Sequence, residues 1–147
     1  MSSDDELIAG FEAASLAAFP HADHVRLTIL YLARHGRAET ERRLFDGLRR
    51  FASAKGVPEK FHVTMTLAWI DLVDDARRKH PDAIDAAALI HSCPELLNRD
   101  ALLRFYTPAR LMSDAARERW IPPDRVAGIE ISPAANGPAG PAQTERI

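Results

Sequence analysis

Apolar positions in this chain recur with helical spacing over most of its length. Leu7, Ile8, Phe11, Ala14 and Leu16 repeat behind Ser3 and Glu6, the two ends of a capping box, which predicts a first helix over about 4–18. Pro20 stands where a helix can start and Gly36 where one can stop, enclosing a second helix over about 21–35. Arg37 opens a third, with Leu44, Leu48 and Phe51 as its stripe and Gly56 as its stop. Pro58 starts a fourth that reaches about Lys79, and its segment from Phe61 to Val73 is apolar on nearly every side, the mark of a central buried helix. Asp82 to Ser92 reads as a fifth, and Pro94 to Leu97, Asp100 to Tyr106 and Ser113 to Trp120 read as short helices punctuated by proline and asparagine. No period-two run is long enough for a strand, and Val126 to Ile131 is too short to make a hairpin. The expected fold is therefore all-α: a single-domain antiparallel bundle of four to five main helices with short C-terminal helices over 1–127. Residues 128–147, rich in proline and glycine and without apolar periodicity, are expected to form a flexible tail.

Composition adds exclusions. The chain has 147 residues, 46% apolar and 27% charged, enough for one hydrophobic core without metal or disulfide staples. A net charge of -2 gives no global attraction to nucleic acid or anionic lipid. The arginine pairs at 42–43 and 49–50 are diluted by Glu39, Glu41 and Asp46, so they predict a solvated face and no nucleic-acid partner. Cys93 is the only cysteine, which excludes an intrachain disulfide and suits a reducing compartment. The segment Met1 to Leu7 lacks the basic and apolar regions of a leader, and no apolar stretch reaches the roughly 18 to 20 residues of a membrane span. The expected setting is cytoplasmic, with no membrane partner; the apolar helices are compatible with a homodimer.

Chemistry enters through a repeated pattern. Pro20 to Leu32 and Pro58 to Ile70 both read P-x3-H-V-x2-T-x2-[Y/W]-[L/I], which puts a histidine (His24, His62), a threonine (Thr28, Thr66) and an aromatic (Tyr31, Trp69) on one helix face. No third copy follows, so a solenoid is excluded. His21 and His24 lie at i, i+3, which lets two imidazoles reach one metal ion, and His62 on the facing helix could complete the set. Positions near helix N-termini favour neutral rings, as both metal ligation and general-base chemistry require. Glu59-x-x-His62 matches half of one di-iron ligand pattern, but the second Glu-x-x-His pair is missing. His35 continues the face of His24, Thr28 and Tyr31; beside Gly36 it is equally a helix-end residue. Buried histidines and threonines also satisfy ordinary structural needs, because polar groups inside a core must find partners.

The residues Phe19-x-His21-x-x-His24, Phe61-His62-x-Thr64 and Ala116-Arg117-x-x-Trp120 together resemble a small bacterial all-helical family of unknown function, over about residues 15–125. That resemblance implies that these positions act as a set, and implies no activity.

The leading expectation is a histidine-ligated metalloprotein, an enzyme acting on a small organic molecule in a pocket between the second and fourth helices. His21, His24 and His62 would ligate a divalent transition metal (iron, zinc or copper), and Thr66, Tyr31 and Glu59 would serve catalysis. Thr28, Trp69 and His35 would shape the substrate space. The same histidines could act without metal in acid-base catalysis. The competing expectation is a non-enzymatic helical binding or interaction module whose histidines are structural.

Overall fold

The computed structural model describes residues 3–125; the expected tail, and the segment from Val126 to Ile131, lie outside the described residues. Helix α1 (Asp4–Glu12) starts at the capping box: Glu6 N–H donates to Ser3 Oγ at 3.1 Å and Ser3 N–H to Glu6 Oε1 at 3.0 Å. The expected continuation to about residue 18 does not occur. Ala14 adopts φ 56°, Ser15 N–H reaches the Gly10 carbonyl at 2.9 Å and Ala14 N–H the Phe11 carbonyl at 3.0 Å, a Schellman closure built on alanine where glycine is usual. The turn brings the Phe19 ring within 5.1 Å of Phe11.

Helix α2 (His21–Ala54) is interrupted at Gly36, whose φ of 80° and ψ of 178° suit only glycine. On an unbroken helix Tyr31 and Arg43 would be about 18 Å apart along the axis. Instead the Arg43 guanidinium lies 5.8 Å from the centre of the Tyr31 ring, and Phe51 lies 5.8 Å from Phe19. The two arms of α2 therefore form an antiparallel hairpin, corresponding to the second and third predicted helices. Thr40 Oγ1 donates to the Gly36 carbonyl at 2.7 Å, and Arg37 pairs at 2.7 Å with Asp71 of α3 (Val63–Lys79), so the turn is tied to the next helix. The second arm ends where Gly56 takes φ 77°, as its sequence signal predicts.

Helix α3 begins at Val63, after a 3-10 turn at Pro58–Lys60, and not at Pro58. His62 is extended (φ -132°, ψ 111°) and caps α3, so it does not sit in a first helical turn as expected. The rest of α3 is as central as its composition predicts, with Leu67, Ala68, Ile70 and Val73 buried. Helix α4 (Ala86–Ser92) also starts late, because Asp85 Oδ1 accepts the Ala88 N–H at 2.8 Å and fixes the N-cap there. Short 3-10 segments at Pro94–Leu97 and Ala101–Arg104 lead to α5 (Pro108–Leu111) and α6 (Asp114–Glu118). Among the described residues there is no strand, and the fold is all-α. No helix among them is long and apolar enough to cross a membrane.

One hydrophobic cluster runs through both parts of the chain. Phe11, Leu27, Tyr31, Leu44 and Ile70 of the bundle belong to it together with Leu102, Tyr106 and Trp120 of the C-terminal segment. Burial of side chains this large, at roughly 1.5–3 kcal/mol each, is the main favourable term holding the short elements in place.

Candidate functional site

The histidines lie at the N-terminal ends of α2 and α3, where each helix meets the C-terminal segment. Pro20 is the N-cap of α2 and offers no side-chain acceptor; its carbonyl accepts the N–H groups of Asp23 at 2.9 Å and His24 at 3.1 Å. His21, the first helical residue, donates its Nε2–H to the Leu96 carbonyl at 2.9 Å and packs edge-on against Trp69 with ring centres 4.6 Å apart. A carbonyl can only accept, so this bond assigns the proton of a neutral His21 ring to Nε2.

His62 is committed at both ring nitrogens. Nδ1 accepts the Met65 N–H at 3.1 Å, which is the N-cap bond, and Nε2 donates to the Leu111 carbonyl at 2.7 Å. Two residues on, the Thr64 hydroxyl donates to the Arg119 carbonyl at 2.7 Å and accepts the Ile121 N–H at 3.2 Å. Thr64 is fully buried, so both of its bonds replace water that could not reach it. The start of α3 thereby holds α5 and the extended exit from α6 by three side-chain bonds.

His24 differs from both. Its Nε2 is buried without a hydrogen-bond partner, although the residue as a whole keeps some exposure. The ring stands 5.6 Å from Phe19 and 6.4 Å from His21, centre to centre. Burial foremost, and the charge of His21 after it, bring His24 down to about 4. Burial also leads the lowering of His21 and His62; the Leu96 and Leu111 carbonyls oppose it, and Arg99 and Arg117 reinforce it. All three rings are shifted towards their neutral form, with desolvation as the leading cause.

The three proposed metal ligands are not brought together. His21 rests on Trp69, seven residues and about 10 Å along α3 from His62, and His62 has no free lone pair in its present bonds. Among the described residues no group of three or more His, Cys, Asp and Glu side chains could hold a metal ion. The other candidates are similarly dispersed. Thr28 and Thr66 turn their hydroxyls back to the carbonyls of His24 and His62, at 2.9 and 2.7 Å, and these local bonds satisfy both groups. Tyr31 donates to Glu12 Oε2 at 2.6 Å, and burial together with that carboxylate raises its phenol above the ordinary range. Trp69 is buried against His21, Glu59 is exposed on the 3-10 turn, and His35 is exposed beside the Gly36 break with its ring 5.8 Å from Tyr31. Arg117 pairs with Asp114 at 2.7 Å and Trp120 is buried.

Of the motif residues, His62 and Thr64 at the start of α3 bond to Leu111, Arg119 and Ile121, while His21 at the start of α2 bonds separately to Leu96. Of these, Thr64 is the polar residue whose role could have been anticipated, since a threonine on a helix with almost no solvent face requires a partner. The acceptors are backbone carbonyls of Leu96, Leu111 and Arg119, which leave no trace in side-chain patterns. A cleft between the first arm of α2 and α3 does exist, of about 450 Å³, but it lies at their C-terminal ends, lined by Ile29, Arg77 and Ile84 among others. No known protein family, curated protein or solved structure matches the chain.

Proposed function

We propose that this protein is a helical binding module in which His21 and His62 are structural: they fasten the C-terminal segment to the bundle and do not form a catalytic centre. The observation that carries this reading is the double commitment of His62, whose Nδ1 caps α3 while its Nε2 holds the Leu111 carbonyl. A ring used this way has no site left for a metal or a substrate proton unless the N-cap is broken. His21, with Nε2 bonded to Leu96 and its ring against Trp69, supports the same role. The test is thermal unfolding of the chelator-treated protein with and without zinc, copper and ferrous iron. A structural role predicts no stoichiometric metal and no rise in melting temperature, since only a ligand of the native state raises it.

One observation favours a second reading. The unpaired Nε2 of His24 and the unprotonated Nδ1 of His21 are two imidazole lone pairs on rings 6.4 Å apart, and a carbonyl behind His21 Nε2 is the kind of partner that metal-ligating histidines use. A metal held by these two rings would raise the melting temperature in the wild type and fail to do so in His24→Ala.

A further inference from the structure

The cleft beside α4 has a composition that the histidine contacts do not explain. Its apolar lining comprises the buried Ile29 of α2 and Leu89 of α4 and the exposed Ala33 and Ile84, the last with 90% of its surface exposed. Ile84 is the most exposed large apolar side chain among the described residues. Its volume of about 450 Å³ is in the range that holds small organic ligands.

The charges around it are unequally committed. Arg78 bonds to Asp74 at 2.8 Å and reaches Asp75 at 3.4 Å. Asp85, an anion in the same lining, accepts the Ala88 N–H at the α4 N-cap through Oδ1. Arg77 Nη1 lies 3.8 Å from Asp74 Oδ1, an ion pair too long for a hydrogen bond, while Arg78 takes the other carboxylate oxygen, Oδ2, at 2.8 Å. Arg77 thus holds only a loose ion pair beside an apolar wall, and His80 belongs to the same lining.

From this juxtaposition we infer that the cleft between α2, the end of α3 and α4 binds a small amphipathic monocarboxylate, with its carboxylate on Arg77 and its hydrocarbon body on Ile29, Ala33, Ile84 and Leu89. The inference deepens the binding-module reading and rests on it. A single negative charge suits one loosely engaged cation, since a planar guanidinium takes a carboxylate through two parallel N–H bonds. The apolar body covers Ile84 and the rest of the apolar lining, which gives the exposed isoleucine the packing partner it otherwise lacks.

The test is calorimetric titration of the full chain with octanoate and with the uncharged octanamide, chelator present, and with methyl resonances of Ile29, Ile84 and Leu89 followed by NMR. The expected result is saturable one-to-one binding of octanoate, at least ten-fold tighter than octanamide, with those methyls shifting. Arg77→Gln should weaken octanoate at least ten-fold and Ile84→Ser several-fold; both positions are at the surface, and the comparison of the two ligands on the wild type stands if either variant fails to fold. No saturable binding, a preference below ten-fold, or methyl shifts that avoid the cleft would overturn the assignment. Failure of the histidine reading would appear separately, as metal-dependent stabilisation lost in His24→Ala.

Discussion

His62 Nε2 donates to the carbonyl of Leu111 at 2.7 Å, joining the start of α3 to α5 across 49 residues of sequence. The same ring caps α3 through Met65 N–H, so one side chain both begins a helix and ties it to a distant part of the chain.

Replacing His62 removes both bonds and leaves the Leu111 carbonyl without its partner. His62→Ala should lower stability by about 2 kcal/mol, combining a lost N-cap with a lost part-buried hydrogen bond. His62→Asn, which can still cap, should recover about half. Urea unfolding measures both, and native-state hydrogen exchange should show the amides of α5 and α6 opening first in the alanine variant.

Acid should weaken the fold before carboxylate protonation does. His24 titrates at about 4 when folded and near 6.5 when unfolded, so between those values the unfolded chain binds a proton that the folded chain refuses. Stability is therefore full above pH 6.5 and falls as pH drops towards 4. The shift corresponds to at most about 3 kcal/mol. His21 and His62, also lowered, act in the same direction. Urea midpoints measured across this window should slope upward with pH, and His24→Leu should flatten the slope; an unchanged slope would show that His24 is not the group responsible.

Gly47 is required by packing. A Cβ there would fall 2.1 Å from Cε2 of Phe11, whose ring is fully buried between α1 and the second arm of α2. Gly47→Ala should cost about 1–3 kcal/mol by overpacking, against the gain in helix propensity that an exposed site would show. Phe11→Leu in the same chain should recover part of that loss, a coupling that thermal unfolding of the double-mutant cycle would detect.

Arg37 and Asp71 form a pair whose acid is buried, at 2.7 Å, with 7% of the Asp71 side chain exposed. Burial opposes the Arg37 charge, but the Asp71 and Glu41 carboxylates outweigh it and the guanidinium is held above its ordinary value. Arg37→Met should destabilise by about 2 kcal/mol, below the 3–5 typical of a broken buried pair, because Arg37 remains partly solvated. Asp71→Leu combined with Arg37→Met should be closer to wild type than Arg37→Met alone, as measured by equilibrium denaturation.

Helix ends were legible at the Ser3–Glu6 capping box, Pro20, Gly36 and Gly56, whereas Pro58 opens a 3-10 turn five residues ahead of α3. Gly36 and Gly56 both adopt the positive φ that their residue type permits. The misplaced ends have different causes: Ala14 closes α1 in a conformation alanine rarely takes, and His62 caps α3 through a ring nitrogen, a role more common for Ser, Thr, Asn or Asp. The repeat is locally real, since Thr28 and Thr66 make equivalent bonds to His24 and His62. Its two histidines are not equivalent in the fold, because His24 lies inside α2 and His62 precedes α3.

Apolar periodicity and end signals, which act over one or two helical turns, were sufficient to determine an all-α chain, the hairpin at Gly36 and the central position of α3. The partners of the histidines were decided only in the tertiary structure. Their acceptors are carbonyls of Leu96 and Leu111, groups that every residue carries, and only packing of Leu102, Tyr106 and Trp120 onto the bundle determines which of them come within reach. The sequence shows that buried polar side chains need partners, but a backbone carbonyl becomes a specific partner only through its position.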